Sequence, residues 1–269
     1  MADDERRTSV RRSGPVVVHV VLPAYNEEAS IGDLIARIAE VMDEAGCVYD
    51  VLVVDDGSAD ATGEIARAGR NTTVVANERN RGLGFTIARG LREAAASAAA
   101  GSVIVTMDAD LTQDPAYIPA MVGAWRAGAD VVIASRFRRG AKVHGLSWDR
   151  HVMTWGARLV VSSLMRVPGV RDYSCGFRLY DPLVLAAAFD ALGDGFVTQT
   201  GFGCMVEIIA KLRGSARIAE VPFELHYDAK RKPSAMRIGP TVRAYFTVIE
   251  QVRGLRRAGV LPLKTFQRH

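Results

Sequence analysis

Apolar residues fall along this chain in short runs separated by segments of helical spacing. VVVHVVL from Val16, VYDVLVV from Val48, TTVVA from Thr72, VIVT from Val103 and ADVVIAS from Ala129 are rich in β-branched residues. Runs of that length and composition read as strands buried on both faces of a parallel sheet. Between them Ile31, Leu34, Ile35, Ile38 and Met42 recur at helical spacing, with Asn26 as candidate N-cap. A second helix is expected from about Ala61 to Ala68, and an alanine-rich one from Leu83 toward Ala100. Strands alternating with helices predict an α/β fold around an open, mainly parallel, Rossmann-like sheet with flanking helices.

The second half alternates less regularly. Residues 148–165 read as a helix, Asp172 to Tyr180 as loop and strand, Gly203 to Leu212 as a helix, and Arg217 to Leu225 as a strand. A long amphipathic helix follows from Ala235 to Leu255, with Ile238, Val242, Tyr245, Phe246, Ile249 and Val252 on one side. The expected organisation is a mobile polar tail over 1–15, one domain over 16–228, and a basic loop with the amphipathic helix over 229–269.

The net charge of +4 hides an asymmetry. From Ala229 onward ten Lys/Arg face one acid, Glu250, giving +9, against −5 for the first 228 residues. Such a segment seeks anions: phosphates, acidic lipid headgroups or nucleic acid. Two uses are open to its helix, packing on the core or lying peripherally on an anionic membrane surface. No apolar run reaches the roughly 18 residues of a spanning helix, and MADDERRTSVRR is not a secretory signal, so the expected location is the cytosol. Cys47, Cys175 and Cys204 lack the spacing of a disulfide framework or a zinc site, and are expected to be reduced.

The strongest chemical signal is MDADLTQD, where the strand from Val103 runs into Asp108-Ala109-Asp110. In extended chain, residues i and i+2 face one side, so both carboxylates can converge. Two anions about 5 Å apart repel by roughly 3 kcal/mol at an effective dielectric of 20, and a hard divalent cation such as Mg²⁺ or Mn²⁺ answers that repulsion. The alternative is structural: Asp108 ends the strand and Asp110 caps a helix opening near Pro115. Acids recur at other strand ends, Glu27 and Glu28 after the first and Asp55 and Asp56 after the second. Ligands of open α/β sheets sit outside those ends. Gly82-Leu83-Gly84 at a further strand-to-helix turn would let backbone N–H groups approach a phosphate, although the third glycine of the usual pattern is missing.

Taken in order, PAYNEE, VVDDGSADAT, NRGLGFTIARG, MDADLTQDP, SRF and DYSCGFRLYD resemble the inverting family 2 glycosyltransferases, and most of all their polyprenyl-phosphate (dolichol-phosphate) mannose synthase-like group. The resemblance spans residues 16 to about 237. It implies a GT-A fold, a nucleoside-diphosphate-sugar donor, a divalent metal and transfer to a polyprenyl phosphate. It also implies that Pro23, Tyr25, Glu27, Asp55, Asp56 and Asp108 bind the nucleotide sugar, and that Asp108 and Asp110 hold the metal. Arg136, Arg150 and Arg178 would meet the acceptor or its phosphate, and Asp110, Arg136, Asp172 and Glu207 would be the catalytic set. The family's Gly-x-Ser-Lys segment is altered here, Ser234 being followed by Ala235, so Lys230, Arg231, Lys232 or Arg237 would supply the missing cation.

A lipid phosphate oxygen is already anionic at neutral pH and needs no strong base. A hydroxyl on a soluble small molecule or peptide needs a carboxylate to take its proton, with Glu207 or Asp172 as candidates. A nucleotidyltransferase would share the parallel sheet and the carboxylate-held Mg²⁺. A nucleic-acid binder would use the basic segment, but no recognition motif is present, so a nucleic-acid partner is not expected.

Overall fold

The computed structural model describes residues 14–145, 156, 159, 161–163, 165–231 and 238–262. Residues 1–13 of the expected tail, most of the helix expected over 148–165, and Arg150, Lys232, Ser234 and Arg237 lie outside them.

Five strands form where the apolar runs predict: β1 (Val17–Ala24), β2 (Val48–Asp55), β3 (Thr72–Ala76), β4 (Val103–Thr106) and β5 (Val131–Ser135). They alternate with α1 (Ile31–Glu44), α2 (Thr62–Arg67), α3 (Leu83–Ser97) and α4 (Ile118–Arg126). Every residue of β4 and of β5 is buried, as central strands covered on both faces require, whereas no residue of the edge strand β3 is. Beyond β5 come β6 (Lys142–His144), β7 (Arg178–Tyr180), α5 (Pro182–Leu192), α6 (Gly203–Leu212), β8 (Ile218–Pro222), β9 (Glu224–His226) and α7 (Ile238–Arg257).

Seven strands make the main sheet in the order β3-β2-β1-β4-β7-β5-β8, and β6 pairs with β9 in a separate ribbon. All pairs are parallel except those of β7, which runs antiparallel between β4 and β5. The start of β7 therefore lies at the same edge as the C-terminal ends of β4 and β5. Helix α3 lies close on this sheet because Gly90 presents no side chain: a Cβ there would stand 2.4 Å from Val21 Cγ1. Its loss would push helix from strand, since packed cores do not absorb an added methyl freely.

The apolar face of α7 packs inward against α6, with Tyr245, Val248, Ile249 and Val252 buried. Phe246, expected on the same side, is 51% exposed, and Val248 takes the inward place. Of the two uses open to this helix, packing on the core accounts for its buried stripe. Among the described residues no helix is long and apolar enough to cross a membrane. Cys47, Cys175 and Cys204 are all free thiols, and burial pushes those of Cys175 and Cys204 up to about 12.

Candidate active site

The pairing of β4 beside β1 brings the DAD segment to the turn that follows β1. Met107 N donates to Val21 O, and Ser30 Oγ donates both to Ala109 O at 2.9 Å and to Glu27 Oε2 at 3.0 Å. One hydroxyl thus ties Glu27 to the loop that carries Asp108 and Asp110. Asn26 does not cap α1. Its φ of +54° turns the chain, and its amide oxygen accepts from Ala59 N, while Ser30 occupies the N-cap position. Glu28 accepts from Ala61 N, so it serves the start of α2 instead of its own helix.

Asp108 is fixed by a reciprocal pair with Gln113: its N–H donates to Gln113 Oε1 at 2.9 Å, and Gln113 Nε2 donates to Asp108 Oδ2 at 2.7 Å. Gly176 lies against the other oxygen, where a Cβ would be 3.0 Å from Asp108 Oδ1. Asp110 accepts from Thr112 N and Oγ1 through one oxygen and from Lys230 Nζ, at 2.6 Å, through the other. The helix-capping alternative for Asp110 is not realised. Asp114, directly before Pro115, accepts from Ala116 N and takes that role. Burial first, then the charge of Asp110, pushes the Asp108 carboxyl up to about 7. Burial opposes the charge of Lys230, but its hydrogen bond to Asp110 and the fields of Asp110, Asp108 and Glu27 outweigh that and leave its pKa raised. A concentration of negative charge sits at this strand end, and a protein cation already answers it.

Pro23 is half-buried and Tyr25 is 46% exposed at the same edge. Asp55 accepts from Ser58 N, and its neighbour Asp56 is buried with both oxygens engaged. Asn77 Nδ2 and Arg81 N donate to one oxygen of Asp56, and Gly82 N to the other, so Asp56 anchors the 79–82 turn from beneath. The glycines of that turn meet protein. Gly84 N donates to Thr200 O, and a Cβ on Gly84 would fall 1.7 Å from Gln199 O.

Arg136 at the end of β5 is gripped by Asp172, which accepts from its backbone N, Nε and Nη2 at 3.1, 2.8 and 2.7 Å. Nη2 also reaches Ser174 Oγ at 2.7 Å. Burial works against both charges, yet the pair prevails, so Arg136 is raised and Asp172 lowered. Glu220 in turn accepts from the N–H groups of Arg171 and Asp172 and fixes the Asp172 loop.

Three expected site residues are fully enclosed by protein. Arg178 is fully buried in β7 and donates to Met205 O and Tyr173 O, which leaves it no surface for an acceptor phosphate. Glu207 is fully buried, ion-paired to Lys211, and accepts from Thr198 N, Thr198 Oγ1 and Gln199 N. It fastens the loop that meets Gly84, and it has no exposed oxygen with which to take a proton. Asp172 is equally buried, so its place is behind Arg136. Arg231 donates to Ala29 O and to Asp33 Oδ2 at 2.8 Å, tying the basic loop to α1. Thr112 and Gln113 escaped sequence reading; the clue was their place within two to five residues of the two aspartates.

A model of glycosyl transferase family 2 matches residues 19–210. The chain belongs to that family. It is 33% identical over 221 residues to a dolichol-phosphate mannosyltransferase of Pyrococcus furiosus, covering 79% of this chain and 57% of that protein. It is 34% identical over 178 residues to undecaprenyl-phosphate 4-deoxy-4-formamido-L-arabinose transferase of Pseudomonas aeruginosa, covering 64% and 49%. The chain thus spans about half the length of these relatives. Among solved structures it resembles glucosyl-3-phosphoglycerate synthase of Mycobacterium tuberculosis, solved with Mn²⁺, UDP and glucosyl-3-phosphoglycerate. There the TM-score is 0.65 with 24% identity, over 92% of this chain and 83% of that one. At that identity the likeness speaks for the fold, the GT-A arrangement with its mixed, mainly parallel sheet.

Proposed function

We propose that this family 2 chain transfers a sugar, with inversion, from a nucleoside-diphosphate sugar to a soluble small-molecule acceptor, using Mg²⁺ or Mn²⁺. The observation that carries the reading is the Asp108–Asp110–Lys230 cluster at the C-terminal edge of the sheet. Its donor set fits a hard cation. Both acids offer oxygens, Asp108 feels the charge of Asp110, and the Lys230 ammonium occupies Asp110 as a cation would. Asp108 and Asp110 would hold the metal, which when bound supplies positive charge to the departing diphosphate. Lys230 is placed to give a second positive charge to the same group, at the point where charge develops. Tyr25, Pro23, Glu27 and Asp55 line the adjacent strand ends and would orient the nucleotide. Asp56 would act beneath them by holding the 79–82 turn. Arg136, held rigid by Asp172, would orient the acceptor through an anionic group, and because Glu207 and Asp172 are both buried the acceptor hydroxyl would give up its proton to water.

The soluble acceptor is supported by α7, whose apolar positions Tyr245, Val248, Ile249 and Val252 are buried where the helix packs on α6. A polyprenyl phosphate is the second reading, favoured by what the two relatives at 33% and 34% identity are named for. Purified protein given a panel of nucleotide sugars, with and without Mn²⁺, tests the reading when each donor is paired with phosphorylated small molecules or a short polyprenyl phosphate. Product only with metal supports the transferase, and the productive acceptor decides between the two readings. Pyrophosphate release from a nucleoside triphosphate plus sugar phosphate would replace both with nucleotidyl transfer.

A further inference from the structure

The β6–β9 ribbon carries a second cluster of ionisable side chains. Its register pairs Lys142 with Glu224 and His144 with His226. Because side chains alternate along a strand, these four project from one face, while Leu225 on the other face is buried and Val143 packs against the core. The polar face remains half-exposed, with side-chain accessibilities of 39% for His144, 29% for Glu224 and 42% for His226. The ribbon is held firmly at one end. Gly145 has φ +70°, and a Cβ there would lie 2.6 Å from Asp228 N, so the turn after β6 closes on the segment after β9.

On this face the two imidazoles stack, with centroids 4.6 Å apart and planes 8° from parallel. His144 Nε2 lies 3.0 Å from Glu224 Oε2, and His226 Nδ1 lies 3.6 Å from Asp228 Oδ1. His144, Glu224 and His226 each offer a ligand atom within 4.8 Å of the other two, as no other group of three His, Cys, Asp or Glu does among the described residues. Lys142 Nζ donates to the other oxygen of Glu224, Oε1, at 2.8 Å.

We propose that His144, Glu224 and His226 form a transition-metal site, of the Zn²⁺ or Co²⁺ class, separate from the all-oxygen Asp108–Asp110 pair. Two imidazoles and one carboxylate are a borderline-soft donor set that leaves a fourth position open. Metal–nitrogen bonds of about 2.0–2.1 Å require the donors to draw together and the rings to rotate out of their stack, which half-exposed side chains permit. Asp228 stands where an outer carboxylate would orient the His226 ring, leaving Nε2 to face the metal. The site lies on the strand that leads through a single turn to Lys230. Metal there would stiffen the segment that delivers Lys230 to Asp110.

Cobalt titration of the full chain, followed by visible absorption and calorimetry, tests this without reference to turnover. The expected result is one saturable site with the intense d–d bands of low-coordinate Co²⁺, displaced by Zn²⁺. The bands should vanish in His144→Ala and His226→Ala, affinity should fall at least about tenfold in the isosteric Glu224→Gln, and Asp110→Asn should keep the bands. Thermal melts of each variant confirm folding, and Glu224→Gln serves if an alanine variant fails to fold. Absence of the bands in wild type, their survival in both histidine variants, or their loss in Asp110→Asn would overturn the proposal.

Discussion

Lys230 Nζ stands 2.6 Å from Asp110 Oδ2, joining a loop near the end of the chain to the acidic end of β4. The contact spans 120 residues and brings a cation of the basic segment to the DAD turn. Lys230→Met keeps the length of the side chain and removes its charge. Nucleoside-diphosphate affinity in the presence of Mn²⁺, measured by calorimetry, is expected to fall at least tenfold, about 1.4 kcal/mol. Unchanged affinity would remove Lys230 from the diphosphate site.

The Arg136–Asp172 pair supplies a second expectation. Both partners are largely shielded and share three hydrogen bonds. Arg136→Ala leaves the Asp172 carboxylate buried without its partner, and the expected loss of stability is about 3–5 kcal/mol by denaturant unfolding. Arg136→Lys should recover only part, because a single ammonium cannot reproduce the two-pronged contact. Full stability in Arg136→Ala would show that the pair is not what holds the Asp172 loop.

The same pair sets an acid limb. The folded-state pKa of Asp172 lies below its ordinary value of about 3.9, so its contribution is complete above that pH and is lost as pH falls through the folded value. Wild-type melting temperature should therefore drop as pH is lowered below about 4. Asp172→Asn should be less stable at neutral pH and show a shallower drop in acid. Parallel profiles for the two proteins would contradict the assignment.

Burial along α7 separates Ile249 from Phe246. Ile249→Ala empties a packed position and is expected to cost about 2–5 kcal/mol, whereas Phe246→Ala at an exposed position should stay within about 0.5 kcal/mol. Urea midpoints measure both. Equal effects would mean that the helix does not pack with the face described.

The sequence made the strands legible because parallel strands buried on both faces are written as unbroken apolar runs, and Val103–Thr106 is the plainest case. Helix α6 was legible to the residue, since Gly203 and Leu212 bound an apolar stretch with nothing to compete. Strand order was not. β7 enters between β4 and β5 in the opposite direction, a long-range pairing with no local signature. The charged residues at the strand ends were readable, but their partners were not. Arg178 and Glu207 look like functional groups in the chain, yet folding buries them against Met205 O and Lys211. His144 and His226 lie 82 residues apart, and only the ribbon's register brings them together.

The most direct test is the metal-dependent consumption of nucleotide sugar by wild type and by Asp110→Asn, with melting curves on the same samples. Among the described residues Asp110 is held by Thr112 and Lys230, and asparagine keeps its volume, so the variant should remain folded, with stability changed by no more than about 1–2 kcal/mol. Turnover should fall to background at every Mn²⁺ concentration. A folded Asp110→Asn protein that still transfers sugar in proportion to added metal would contradict the account.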